Sequence, residues 1–158
     1  MSGPPPPPVD TGDPSRDPVS SEESSLGDQL FYDTPVHAFM GFRLVQREPV
    51  AIVTMDDAEN VRGAMPGTIH GGILATMADV TCALALTGSF EEGVDVPVTT
   101  DMHIRYFRQP TAFPVTAEAR AIHRGRRLLS VECSIVDAAE RQLVRTSATY
   151  MLVPFVVG

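Results

Sequence analysis

An α+β fold, an antiparallel sheet wrapped around one central helix, follows from three features of the sequence. Residues 71–86 make one long helical candidate that is apolar nearly all round, whereas a helix on a surface would carry a charged face. Beyond it, Val98–Phe107, Val115–His123, Leu128–Val136 and Leu143–Val153 alternate as strands do. The helix, at 16 residues, is short of the roughly 20 needed to cross a bilayer, so the sheet has to enclose it.

Residues 1–28 are Pro, Ser and acidic side chains with hardly an aliphatic group. Burial there cannot offset the entropy of ordering the chain, so this segment reads as a disordered tail ahead of one domain at 29–158. The Pro4–Pro8 run favours extended polyproline II and serves as spacer. Order begins near Leu30. Phe31, Val36, Phe39 and Met40 give one short helix an apolar face before Gly41 ends it. Phe42–Gln46 and Val50–Met55, separated around Pro49, form a hairpin, and 56–66 is a polar loop. Turn signals at Gln109–Pro110, Arg124–Gly125 and Asp137–Glu140 divide the last four strands, and their short links imply a four-strand antiparallel meander.

Composition narrows the function. Hydrophobic residues form 43% of the chain, enough for a core, and a net charge of -8 argues against a polyanionic partner such as nucleic acid. The two cysteines, Cys82 and Cys133, form no metal-ligand spacing, and no signal-peptide core precedes the domain. A cytoplasmic protein without metal or membrane partner is expected. His103 and His123 fall on different strands with no ligand cluster near either. Both cysteines read as core, because an apolar setting keeps a thiol protonated.

Chemistry concentrates on the helix. Asp79 is its lone charged side chain, and Ala75, Thr76, Cys82 and Ala83 occupy the positions where a cation could reach it. A carboxylate kept in such surroundings without a partner is costly, which points to use. The plain alternative is an acid that caps backbone donors or faces a water-filled gap. At the start of the helix, Gly71 and Gly72 present amides without side chains just where first-turn N–H groups lack partners and the helix dipole is positive. An oxyanion can rest there. Gly71 and Asp79 are eight residues apart, which is about 12 Å along a helix, so one carbonyl cannot touch both in one chain. If they cooperate, donor and acid come from two copies of a symmetric dimer with two equivalent sites.

The segment His70-Gly71-Gly72-Ile73-Leu74-Ala75-Thr76-Met77-Ala78-Asp79 resembles the HGGxxxxLxD helix of the PaaI-like acyl-CoA thioesterases of the hotdog superfamily. The run from Val98 to Tyr106, with Pro110 after it, is similar to that family's next signature, and the likeness extends from about Phe31 to Pro154. The resemblance implies a hotdog fold, a homodimer or dimer of dimers with the active site at the subunit interface, and hydrolysis of an acyl-CoA. CoA is then part of the substrate, and no separate cofactor is implied. On the same basis the Gly71 amide polarises the thioester carbonyl, Asp79 of the opposing subunit is nucleophile or general base, and Thr99 helps hold the attacking water. His70 shapes the helix start beside Gly72. Arg105 and Arg126, among the arginines at strand ends and turns, are candidates for the CoA phosphates. One departure stands out: Ala64 replaces a common Asn, removing a carbonyl donor, with Asn60 nearby in sequence. A hydratase or dehydratase of acyl thioesters, and a non-catalytic acyl-CoA-binding protein, are the competing readings.

Overall fold

The computed structural model describes residues 26–91 and 93–155, so residues 1–25 of the expected 1–28 tail lie outside the described residues, while 26–28 begin the first helix. Two helices stand where one was expected, α1 (Leu26–Asp33) and α2 (Pro35–Met40). Pro35 is the cause. It has no N–H to continue the ladder, and it holds Thr34 extended at φ -79°, ψ 109°. The break also divides the expected apolar face: Phe31 is buried, while Val36 and Phe39 are 41% and 63% exposed. Gly41 ends α2 at φ 68°, a conformation that glycine adopts at little cost.

Strands β1 (Phe42–Gln46) and β2 (Ala51–Met55) pair antiparallel as the expected hairpin, and Ala51, Val53 and Met55 point inward, fully buried. The loop after β2 holds a single 3-10 turn, Glu59–Val61. The central helix α3 (Gly71–Leu84) ends two residues before the expected Leu86. Leu74, Met77, Ala78, Thr81 and Cys82 pack into the sheet, whereas Ile73, Thr76, Val80 and Ala83 are only half-buried. Within one chain the sheet therefore covers one side of the helix, less than the enclosure expected from its composition.

The remaining strands are β3 (Asp95–Tyr106), β4 (Val115–Arg124), β5 (Leu128–Val136) and β6 (Gln142–Pro154). All six form one antiparallel sheet in the order β1-β2-β4-β5-β6-β3. The meander is thus three strands, β4 to β6, not four: β3 skips past its chain neighbour to pair with β6. Length explains the choice. The 12-residue β3 runs beside the 13-residue β6 from Asp95↔Pro154 to Tyr106↔Val144, and the shorter β4 is already flanked by β2 and β5. As a result β3 is an edge strand with one side unpaired, lying beside α3. No helix among the described residues is long and apolar enough to cross a membrane.

The β5–β6 turn is built on buried Asp137. Its carboxylate accepts from the backbone N–H groups of Thr111, Ala139 and Arg141 at 3.0–3.1 Å and from Arg141 Nε at 3.0 Å. Burial alone would raise this carboxyl, but the Thr111 and Arg141 donors and the Arg141 charge outweigh it and hold the group well below the ordinary carboxylate value. A depressed folded-state pKa means that the unfolded chain binds the proton first. The stabilisation is therefore complete above the unfolded value of about 3.9 and is lost as pH falls below it towards the folded value. Asp137→Asn is expected to lower the denaturation midpoint at neutral pH and to flatten its fall below about pH 4. Urea titrations of both proteins at neutral and acid pH check this, and parallel pH curves would refute it.

Candidate active site

The start of α3 is fixed by three contacts. His70, extended at φ -63°, ψ 131°, caps the helix, its Nδ1 accepting the Gly72 N–H at 3.0 Å. Tyr106, at the end of β3, donates its hydroxyl to the Gly71 carbonyl at 3.0 Å. Gln109, just beyond, accepts the Ile69 N–H at 2.8 Å, and Arg141 donates to the Gln109 carbonyl at 3.3 Å, tying the helix entrance to the Asp137 turn. These contacts separate the two glycines. The Gly72 amide is spent on His70, whereas the Gly71 N–H has no acceptor among the described residues. Gly71 is therefore the free donor at the positive end of the helix. A Cβ at Gly72 would crowd the His70 ring at 3.1–3.2 Å, so a side chain there requires the capping ring to shift.

Asp79 lies two turns on. It is half-buried, and it has the partners that the helix sequence alone did not show: Thr99 Oγ1 and Tyr150 Oη lie 2.8 and 2.7 Å from its Oδ1. Thr99 and Tyr150 are register partners on β3 and β6, so the strand pairing delivers both hydroxyls together. The Tyr150 hydroxyl is also 2.9 Å from the Asp79 carbonyl oxygen, and its one proton serves one acceptor at a time. Burial, together with the neighbouring Cys82 thiol and the Asp79 carboxylate, pushes Tyr150 well above its ordinary range and keeps it a donor. Oδ2 has no hydrogen-bond partner among the described residues. The carboxylate is thus oriented through one oxygen and free at the other, with no cation among the described residues paired to it. It lines a cavity of about 340 Å³ walled by α3, β3 and residues of α1 and α2.

Other candidates separate by position. Arg105 and Arg126 are both exposed but stand at opposite ends of the sheet, Arg105 opposite Arg145 and Arg126 in the β4–β5 turn beside Leu128, which faces Met151. Six residue steps along β6, from Arg145 to Met151, put them about 20 Å apart in one chain. Arg124 is engaged structurally, reaching Ser89 and, at 3.4 Å, the Ala85 carbonyl beyond the end of α3. Ala64 is exposed in the loop before α3, and Asn60 donates instead to the Phe39 carbonyl on α2. Cys82 and Cys133 are buried free thiols, and their mutual hydrogen bond together with burial pushes Cys82 far above its ordinary range, so it stays a thiol. No group of three side chains among the described residues could hold a metal ion.

Tyr106, Gln109 and Tyr150 were not singled out by sequence. For Tyr150 a signal existed: a tyrosine at an inward strand position needs a partner for its hydroxyl, and the central helix carries one carboxylate.

Residues 66–144 match the family model of the thioesterase superfamily. Among solved structures, a thioesterase from Haemophilus influenzae is similar at 20% identity and a TM-score of 0.74, over 85% of this chain and 95% of that one. The PaaI protein of the E. coli phenylacetic acid degradation operon is similar at 20% identity and a TM-score of 0.68, covering 80% and 91% of the two chains. A conserved protein from Pseudomonas aeruginosa reaches 28% identity with a TM-score of 0.68 over 75% and 93%. No curated protein matches the chain.

Proposed function

The chain belongs to the thioesterase superfamily and has the hotdog fold, and from that membership we propose that it hydrolyses an acyl-CoA, with the Asp79 carboxylate as nucleophile or general base and Gly71 of a second copy as the oxyanion donor. The observation that carries this is the Asp79 carboxylate, fixed by Thr99 and Tyr150 through Oδ1 and open at Oδ2 on a cavity. In its ionised form Oδ2 attacks the thioester carbonyl carbon or takes a proton from the water that does. A C–O bond forms and the carbonyl oxygen becomes an oxyanion facing the Gly71 N–H. Collapse breaks the C–S bond, and the CoA sulfur leaves and takes up a proton. Where Asp79 itself is acylated, water then releases the acid.

Distance and edge support a homodimer, alone or within a dimer of dimers, as the unit that completes the site. The uninterrupted helix keeps Gly71 about 12 Å from Asp79. The unpaired side of β3, the strand that carries Thr99, lets a second copy extend the sheet and bring its own helix start close. The half-buried face of α3 (Ile73, Thr76, Val80 and Ala83) gains cover in the same step. A hydratase would need His70 for acid–base work, and its Nδ1 accepts the Gly72 N–H, which places the ring proton on Nε2 and leaves no free lone pair for a base. A soluble cytoplasmic setting suits the reading, since acyl-CoA is found there and both thiols are unpaired. Thiol release from short-chain, long-chain and aryl-CoA substrates is the direct test. Turnover of at least one class is expected, and binding without release across the panel would replace hydrolysis by an acyl-CoA-binding role.

A further inference from the structure

Resting on the hydrolytic reading above, we propose that Tyr106 is a positioning residue: together with His70 it clamps one peptide unit at the start of α3 and so holds the Gly71 N–H ready for the oxyanion. The N–H groups of residues 69 to 73 lead into the helix. Ile69 donates to Gln109 Oε1 at 2.8 Å, His70 to the Val61 carbonyl at 3.0 Å, Gly72 to His70 Nδ1 at 3.0 Å and Ile73 to the His70 carbonyl at 3.0 Å. Gly71 alone of the five has no acceptor among the described residues. The peptide units on either side of it are each fixed at their oxygen. The His70 carbonyl, which shares a plane with the Gly71 N–H, accepts from Ile73 and, at 3.4 Å, from Leu74. The Gly71 carbonyl, which shares a plane with the Gly72 N–H, accepts from the Tyr106 hydroxyl at 3.0 Å. That second plane is gripped at both ends, by Tyr106 at its oxygen and by His70 at its N–H.

The grip matters because of the sequence at this point. Gly71 and Gly72 open the helix, and glycine has the widest range of backbone conformations, so this first turn frays more readily than one built of other residues. An oxyanion donor acts best when its direction is set before the reaction, since an N–H that must reorient forfeits part of its stabilisation. Tyr106 can set that direction because its own backbone is held. It is the last residue of β3, paired with Val144 of β6, and the Phe107 N–H after it donates to the Leu143 carbonyl at 2.8 Å. Its ring packs against Gly71, 3.7–3.9 Å from where a Cβ would stand. The side chain is 49% exposed, so water competes for the hydroxyl and its loss should cost the fold little. The consequence falls on the aim of a donor rather than on stability.

Tyr106→Phe keeps the ring and removes the hydroxyl. For a thioester that the wild type turns over, kcat is expected to fall about tenfold, less than for loss of the donor itself, with KM changed by no more than about twofold and the denaturation midpoint nearly unchanged. Two readouts separate positioning from a general structural role. In a Gly71→Pro background, where no N–H remains to be aimed, Tyr106→Phe should cost nothing further. Amide hydrogen exchange followed by NMR should quicken at Gly72 in Tyr106→Phe, while Met77 and Cys82 in the buried part of α3 exchange as before. An equal loss of kcat with and without the Gly71 N–H, or a loss accompanied by a large fall in midpoint, overturns the proposal. So does unchanged exchange at Gly72, which is measured without any substrate. Faster exchange at Gly72 in a protein that releases no thiol from any acyl-CoA overturns the hydrolytic reading, and with it the catalytic role of the clamp, but not the clamp.

Discussion

Asp79→Asn is expected to lower kcat for thioester hydrolysis by about 10³-fold, with the fold and the subunit assembly unchanged. The amide keeps the shape of the carboxylate and an oxygen that can still accept from Thr99 and Tyr150, whose hydroxyls lie 2.8 and 2.7 Å from Oδ1. What it loses is the charge on the oxygen that faces the cavity, and with it both nucleophilicity and the capacity to take a proton. Thr99→Val, which removes one of the two orienting hydrogen bonds, should cost less than loss of the acid itself. Thiol-release kinetics with denaturation midpoints measured alongside check both. Full activity in Asp79→Asn would remove the mechanism. Inactivity accompanied by a large drop in midpoint would instead reveal a structural acid held by two hydroxyls.

The sequence shows Asp79 and the two glycines clearly because each conflicts with its surroundings, an acid in an apolar helix and two residues without side chains where a helix starts. Its pattern also suffices for α3, the hairpin and the alternation of the later strands, which depend on residues close together along the chain. Pairing does not. Nothing local indicates that β3 passes β4 to lie beside β6, since that choice follows from matching lengths and from which edges remain open. The identity of the groups that hold Asp79 is a consequence of that pairing. Thr99 and Tyr150 are 51 positions apart, and they meet only because β3 and β6 are neighbours in this register. The same holds for Gln109 on Ile69 and Tyr106 on Gly71, contacts between a strand end and a helix start that no spacing rule connects. The break at Pro35 was legible in principle, yet the apolar residues on both sides of it read as one face.

Gly71→Pro tests the other half of the site with little disturbance elsewhere. Residue 71 is the first of α3, the helix position that best tolerates proline because its N–H has no partner within the helix. His70 before it is already extended at ψ 131°, as a residue preceding proline prefers to be, and a Cβ at 71 would meet Tyr106 only at 3.7–3.9 Å. The substitution therefore removes the free N–H and leaves the helix in place. Loss of one oxyanion donor should lower kcat about 10²- to 10³-fold with a smaller change in KM. Mixing then decides where the site lies. A dimer of one Asp79→Asn subunit and one Gly71→Pro subunit has one complete site, the acid of the second facing the amide of the first. Random reassortment of the two inactive proteins makes half of the dimers mixed, and activity should recover to roughly a quarter of the wild-type value. Were donor and acid drawn from the same chain, every mixed dimer would hold two incomplete sites and the mixture would stay as inactive as its parts.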